Sequence, residues 1–263
     1  MARTLVMGIL NVTPDSFSDG GLFLAADAAI AHGLAMVADG ADLVDVGGES
    51  TRPGALPVPV EVELARVIPV IAALATQGVA VSVDTMKAEV ALAAIEAGAS
   101  VVNDVSGGVA DARMPEVIAS HPDIRYVAGH WRGEPWLMDQ LASYEDVVAE
   151  VASELAARRA ELVAAGVRPV QLILDPNLGF AKLGRQNWQV LAGLPVLQAI
   201  GQPVLVGASR KRFLTQVTAD AEAATVALTA LLAAAGAWAV RVHNVTANRA
   251  AVNVVSEYQK GAR

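Results

Sequence analysis

The sequence alternates eight times between a short apolar, often β-branched run and a longer segment rich in alanine and leucine. The short runs cover residues 5–10, 42–46, 80–84, 100–104, 125–129, 171–175, 203–207 and 239–243. Few of them alternate polar and apolar residues, as expected of strands that are buried on both faces. Strands that alternate with helices form a parallel sheet covered by those helices. The pattern therefore predicts an α/β fold, and eight repeats favour a (β/α)8 barrel, the TIM-barrel architecture.

The length and composition are consistent with this fold. The chain has 263 residues, of which 54% are hydrophobic and 17% charged, so enough apolar surface is present to form a large core. Barrels of this kind reach such a length as one domain, and no linker or composition shift interrupts the chain, so we expect residues 1–263 to form a single domain. An open doubly wound sheet is the alternative, but no glycine-rich dinucleotide fingerprint is present.

Composition also excludes several classes of function. A net charge of −8 and a pI near 5.0 make extended nucleic-acid binding unfavourable. The absence of cysteine excludes disulfides, thiol nucleophiles and thiolate metal sites. Residues 1–10 run directly into the polar Asn11 without an apolar signal core, so we expect a cytoplasmic protein. The longest apolar run, residues 225–240, is interrupted by Gly236 and fits a buried helix leading into a strand, so no membrane partner is expected.

Polar residues stand at or just beyond the end of every predicted strand. They are Asn11, Asp45, Asp84, Asn103, His130, Asp175, Ser209 and His243. The carboxyl ends of the strands of a barrel converge on one mouth, where the active sites of such enzymes lie. We therefore expect these residues, although distant in sequence, to line a common pocket.

Two polar, glycine-rich loops follow the first two strands, at residues 11–21 and 47–54. The second offers backbone donors, a hydroxyl and the guanidinium of Arg52, whose planar fork suits a carboxylate. Taken alone, each loop is equally consistent with a structural turn, the second carrying one solvated arginine.

Seven segments resemble, in the same order, those of the dihydropteroate synthases. They are residues 8–21, 44–55, 81–85, 102–107, 174–182, 207–214 and 240–243, and together they extend over essentially the whole chain. The resemblance implies an enzyme that condenses 6-hydroxymethyl-7,8-dihydropterin diphosphate with p-aminobenzoate and releases diphosphate. It also implies Mg2+ as cofactor, a homodimer, and membership of a family that is a target of sulfonamides.

Matching the family residue by residue implies a role for each position. The pterin would be held by Asp84, Asn103, Asp175 and Lys211, the diphosphate by Arg241 and His243, and the accompanying Mg2+ by Asn11. The p-aminobenzoate pocket would be formed by Phe17, Thr51, Arg52, Pro53 and Ser209, with Phe180 beside it. Asp84, Lys211 and Arg241 are the catalytic candidates. Their residue types fit, because carboxylates accept from the N–H groups of a pterin and Arg241 and His243 alternate along one strand.

Structural interpretations of these residues remain open. An aspartate in a barrel layer is about as often part of an ion pair as of a site, and a lone histidine on a barrel strand is more often a core residue. Phe17 could equally anchor its loop.

Three positions depart from the family pattern. Gly129 stands where a methionine usually precedes the histidine, which removes bulk expected beside the pterin, and Trp131 and Met138 are candidate replacements. Asn177 replaces a glycine, and asparagine tolerates the left-handed backbone that a glycine there suggests. Asn244 replaces an aspartate after His243.

Two other functions are possible for a pterin-holding barrel. A folate-binding methyltransferase would pass a methyl group to a corrinoid protein, but the 51–53 loop segment and the two diphosphate-side donors favour the synthase. A catalytically silent paralogue would bind pterins as a sensor, and Gly129 is the feature that favours it.

Overall fold

The computed structural model describes residues 3–13, 21–49, 57–134 and 137–262, with only the backbone described for residues 21–25. Its strands are β1 (Leu5–Asn11), β2 (Leu43–Gly47), β3 (Val81–Asp84), β4 (Val101–Asp104), β5 (Arg125–Gly129), β6 (Leu172–Asp175), β7 (Leu205–Val206) and β8 (Ala239–Val242). Each lies within one or two residues of its predicted bounds.

The strands form one eight-stranded sheet in the order β6-β5-β4-β3-β2-β1-β8-β7, and all of the paired strands are parallel. A parallel bridge between Leu174 and Val204 joins β6 to the residue before β7 and so brings the two edges together. The sheet is therefore a nearly closed barrel, which confirms the predicted fold class.

Helices connect successive strands and cover the outside of the barrel. They are α1 (Gly21–Ala38), α2 (Val60–Thr76), α3 (Ala88–Glu96), α4 (Met114–Ser120), α5 (Val147–Ala164), α6 (Arg185–Ala192), α7 (Leu194–Gln198), α8 (Arg212–Thr215), α9 (Ala221–Ala234) and α10 (Val245–Gly261). The apolar run 225–240 forms α9, a turn at Gly236 with φ 80°, and the start of β8. None of the helices within the described residues is long and apolar enough to span a membrane.

Side chains alternate between the two faces of each strand. On β2, Val44 and Val46 point outward and pack with α2 residues such as Ile71 and Leu74. Leu43 points inward and packs with the inward residues of other strands. This period of two explains the continuous apolar runs of the sequence, because both faces are buried.

The barrel interior is apolar at its base and polar at its mouth. A fully or almost fully buried cluster fills the base, formed by Met7, Leu43, Val101, Val127, Ile173, Leu205 and Ala239. The next inward position on four of these strands, two residues later, is Asp45, Asn103, Asp175 or Arg241. The apolar layer thus closes the barrel from below and leaves the polar layer open only toward the strand ends.

One buried carboxylate fixes the turn after β4. Asp104 is fully buried and accepts hydrogen bonds from Ser106 N and Oγ, Gly108 N and Tyr126 Oη, at 2.7–2.8 Å. Burial raises the pKa of Asp104, and these donors act against that rise. The contact with Tyr126 ties the β4 turn to β5.

We expect Tyr126→Phe to lower the free energy of unfolding by about 1–3 kcal/mol, because it takes one donor from a buried carboxylate. Urea unfolding measures the change. Tyr258→Phe is the matched control, since Tyr258 is 77% exposed on α10. Equal stability of the two variants would contradict this role of the Asp104 turn.

Candidate functional site

Arg241 lies between two carboxylates at the mouth of the barrel. Its Nε donates to Asp45 Oδ2 at 2.5 Å and its Nη2 to Asp84 Oδ2 at 2.6 Å. Asn103 Nδ2 also donates to Asp45 Oδ2, at 3.0 Å. Strands β2, β3, β4 and β8 thus meet in one hydrogen-bonded layer, and Asp84, Asn103 and Arg241 come together as predicted.

The second oxygen of each carboxylate is left without a partner. Asp45 Oδ1 and Asp84 Oδ1 are buried and accept no hydrogen bond from the residues that the structure describes. Unpaired buried acceptors are costly, and they are common where a ligand supplies the missing donors. These two oxygens are therefore the acceptors that the site offers to a ligand with N–H groups.

Burial and charge act in opposite directions on the titration of this layer. Burial raises the pKa of Asp84 to about 7, an effect that Arg241 opposes and Asp45 reinforces. Burial acts to lower the pKa of Arg241, but Asp45 and Asp84 raise it above its ordinary value. The guanidinium therefore stays charged, while burial makes the Asp84 carboxyl easier to protonate than an exposed aspartate.

Asp175 and Lys211 form the opposite side of the mouth. Asp175 is 7% exposed, and burial raises its pKa, which the charge of Lys211 opposes. Burial lowers the pKa of Lys211 to about 8, against the effect of Asp175, so the ammonium form still predominates at pH 7. Lys211 Nζ donates to the carbonyl of Leu178 and lies 5.1 Å from the ring centroid of Phe180. Phe180 thus lies beside Lys211.

Ser209 and His243 form a second pair at the rim. Ser209 Oγ lies 2.9 Å from His243 Nδ1 and accepts from the His243 backbone N–H at 3.2 Å. His243 follows the last residue of β8 directly, two positions after Arg241. The side chains of Arg241 and His243 are therefore both on the mouth side, as their alternation along one strand predicted.

Asn11 closes β1 beside the same layer. An ideal Cβ built on Gly47 would lie 3.8 Å from both Asn11 Oδ1 and Asp84 Oδ2, which places the asparagine oxygen near Asp84. The Asn11 side chain makes no hydrogen bond with any described residue. The described part of the chain contains no cluster of three or more metal-binding His, Asp or Glu side chains. A cation here would take few ligands from the protein.

The predicted p-aminobenzoate residues Phe17, Thr51, Arg52 and Pro53 lie outside the described residues. The residues that flank the second loop are described, and ion pairs and hydrogen bonds hold them in place. Lys87 Nζ bonds to Glu49 Oε2 at 2.5 Å and to the buried Glu63, and Glu49 Oε2 also accepts from Val58 N at 3.0 Å. Arg66 donates to Gly48 O at 2.7 Å. The residues on both sides of the loop are thus attached to each other and to α2.

His130, which sequence analysis placed among the mouth residues, is almost fully buried and contacts Lys182 of the loop after β6 and Glu154 of α5. Its Nδ1 lies 2.9 Å from Lys182 Nζ and its Nε2 lies 2.8 Å from Glu154 Oε2. Burial lowers the pKa of His130 to about 4, so the imidazole is neutral, with Nε2–H donating and Nδ1 accepting. Burial likewise lowers the pKa of Lys182 to about 7, although Asp175 opposes this effect.

Sequence reasoning gave Asp45 and Lys182 no role. Asp45 had the right signal, a charged residue at a strand end, but its partners Arg241 and Asn103 are far away in sequence. Lys182 had no signal beyond its place in a matching segment, since a lysine side chain is rarely almost fully buried.

We expect Lys182→Met to change how stability depends on pH. The folded-state pKa near 7 is below the unfolded value near 10.5, so the unfolded chain binds more protons between these values. Stability therefore rises with pH across that window, by at most about 1.4 kcal/mol per pH unit from this one group. Lys182→Met removes the contribution, so its stability relative to wild type should fall as pH rises from 7 to 9. Parallel curves from urea unfolding would contradict the titration of Lys182.

Comparison with known proteins agrees with this geometry. Residues 7–243 match a family model described as pterin binding enzyme. The dihydropteroate synthase of Mycobacterium leprae is 50% identical over 272 aligned positions, which cover 98% of this chain and 94% of that protein.

Solved structures give the same result. The dihydropteroate synthase of Xanthomonas albilineans with 4-aminobenzoic acid has a TM-score of 0.91 at 45% identity, covering 98% of this chain and 93% of that chain. A structure of that organism's enzyme in complex with 7,8-dihydropteroate gives 0.88 at 42% identity, covering 98% and 94%. The chain therefore belongs to the pterin-binding enzyme family, among its dihydropteroate synthases.

Proposed function

We propose that this enzyme joins the amine of p-aminobenzoate to 6-hydroxymethyl-7,8-dihydropterin diphosphate, giving 7,8-dihydropteroate and diphosphate, a step of folate biosynthesis. The observation that carries the proposal is the polar layer over the apolar base of the barrel. It combines buried acceptors without partners, a lysine and an arginine at one mouth. The relatives with 4-aminobenzoic acid and with 7,8-dihydropteroate support the two substrates.

The acidic side of the mouth suits the pterin ring. A pterin presents amino and ring N–H donors along one edge and a carbonyl along the other. Asp84 Oδ1 supplies an acceptor without a partner, Asp175 supplies a second carboxylate, and Asn103 supplies an amide. Lys211 on the opposite wall donates to the carbonyl edge. We assign pterin binding to these four residues.

The cationic side suits the diphosphate. Arg241 uses Nε and Nη2 for the two carboxylates, and its Nη1 donates to none of the described residues. His243 and Ser209 stand at the rim two strand positions above it. We propose that these groups bind the diphosphate and neutralise the charge that it gains as it leaves.

The reaction needs no covalent intermediate with the protein. The nitrogen of p-aminobenzoate attacks the pterin methylene carbon, the carbon–oxygen bond to the diphosphate breaks, and the amine loses a proton. The enzyme contributes by aligning the amine with that carbon and by keeping water away from it. From sequence alone, we propose that Phe17, Thr51, Arg52 and Pro53 receive p-aminobenzoate, with Ser209 and Phe180 on the described side of its pocket.

We propose that Mg2+ accompanies the diphosphate and that Asn11 is its protein ligand. The donor set fits, because Mg2+ prefers oxygen ligands and binds commonly through substrate phosphates and water with one or two protein groups. Asn11 offers a side-chain oxygen that has no protein partner among the described residues. When bound, the ion supplies positive charge to the leaving group.

A homodimer and a cytoplasmic location are also proposed. Helices α9 and α10 pack on each other, yet leave Leu231, Val254 and Tyr258 about two-thirds or more exposed. Exposed apolar groups of this kind support contact with a second subunit.

We expect Lys211→Met to reduce kcat/KM for dihydropteroate formation by about 10²-fold or more, because it removes a charged donor from the pterin wall. A coupled assay of diphosphate release measures it. Lys260→Met, which changes an exposed lysine on α10, should behave as wild type. A wild-type protein that releases no diphosphate from the two substrates would refute the proposed function.

Removal of divalent cations with EDTA should abolish turnover, and added Mg2+ should restore it. We expect Asn11→Ala to raise the Mg2+ concentration that gives half-maximal rate, because one ligand is lost. Titrating Mg2+ against rate for both proteins tests the assignment. An unchanged midpoint for Asn11→Ala would show that Asn11 is not a ligand.

A further inference from the structure

Gly129 has no room for a side chain. It closes β5, pairs with Asp175 of β6, and stands two residues after the inward-facing Val127. A Cβ on this residue would lie 2.3 Å from Asn177 Nδ2 and 2.5 Å from Val105 O. Both distances are far below van der Waals contact. The space that a side chain of residue 129 would use is therefore occupied by groups from the turns after β4 and β6.

Asn177 is the residue that fills this space. It is 3% exposed and adopts φ 49°, a left-handed conformation that asparagine tolerates. Its Nδ2 donates to Val105 O at 2.7 Å and to His130 O at 3.2 Å. Its backbone N–H donates to Asp175 Oδ1 at 2.7 Å. One residue thus connects the ends of β4, β5 and β6.

These contacts bear on two residues assigned to the pterin. Val105 follows Asn103 by two positions on the same chain segment, and Asp175 precedes Asn177 by two. The amide of Asn177 therefore fixes the end of β4 relative to that of β6, while its N–H orients the Asp175 carboxylate. The close approach of Val105 O is possible only because residue 129 is a glycine.

We propose that Asn177 is a positioning residue for the pterin pocket. Its side chain spans the gap over Gly129 and sets the separation of Asn103 and Asp175, so that both meet the pterin at once. The two departures from the family pattern at 129 and 177 are thus one coupled change. This inference rests on the proposed function, since it concerns how that pocket holds its pterin substrate.

Steady-state kinetics and calorimetry of Asn177→Gly test it, since glycine keeps the left-handed backbone and removes only the side chain. We expect KM and Kd for pterin diphosphate to rise on the order of tenfold, with KM for p-aminobenzoate and kcat nearly unchanged. Gly129→Ala should also raise KM and Kd for pterin diphosphate, because the added methyl group displaces the Asn177 amide. In the double variant the two effects on the pterin KM should fall short of additive, because Asn177→Gly has already removed the amide that Gly129→Ala displaces, while the contact of the new Cβ with Val105 O remains.

Asn248→Ala is the matched control. Asn248 is also fully buried and hydrogen bonded, to Thr229 and Asn244, but it joins α9 to α10 away from these turns. The Asn248→Ala variant should have a lower melting temperature than wild type and unchanged KM values for both substrates. A wild-type pterin KM for Asn177→Gly, equal rises of both KM values, or strictly additive effects in the double variant would overturn the inference. An inactive wild type would instead refute the synthase function, and pterin binding by calorimetry would still test the role of Asn177.

Discussion

The ionic contact of Arg241 with Asp45 and Asp84 is the interaction on which the mouth of this barrel depends. A guanidinium and two carboxylates are brought into the interior of a protein only when they neutralise one another, because desolvation of each alone costs several kcal/mol. The three residues come from β8, β2 and β3, and Asn103 adds β4 through the same oxygen of Asp45. The charge cluster therefore spans five neighbouring strands of the sheet, β4-β3-β2-β1-β8, with the apolar layer beneath it.

The buried carboxylates of this layer lower the stability of the folded protein and provide acceptors for a ligand. The layer satisfies one oxygen of each carboxylate and leaves the other buried and without a partner among the described residues. A pterin can supply the missing hydrogen bonds, so part of the cost of burying the carboxylates is recovered when it binds. The raised pKa of Asp84 and the lowered pKa of Lys211 have the same origin, because both groups are removed from water before the substrate arrives.

Much of the fold followed from the sequence, because a barrel has strong local signals. Continuous apolar runs located each strand within two residues, and polar residues at the strand ends located the mouth. Pairing across the barrel has no local signal. The contact between Asp45 and Arg241 joins residues 196 positions apart, and they meet because β2 and β8 both pair with β1. A strand-end position also does not fix the direction of a side chain, and the ring of His130 is directed at Lys182 and Glu154. Asn177 occupies the space beside Gly129, and only the three-dimensional structure reveals this contact.

Calorimetric titration of Asp84→Asn with the pterin diphosphate tests the central claim most directly. Asparagine keeps the oxygen that Arg241 uses and turns the free oxygen into an N–H donor, so the barrel should stay folded. We predict that affinity falls by about tenfold or more, as expected for losing a hydrogen bond of about 1.5–3 kcal/mol to a charged group. Wild-type affinity in a folded variant would show that the unpartnered carboxylate oxygen does not receive the substrate.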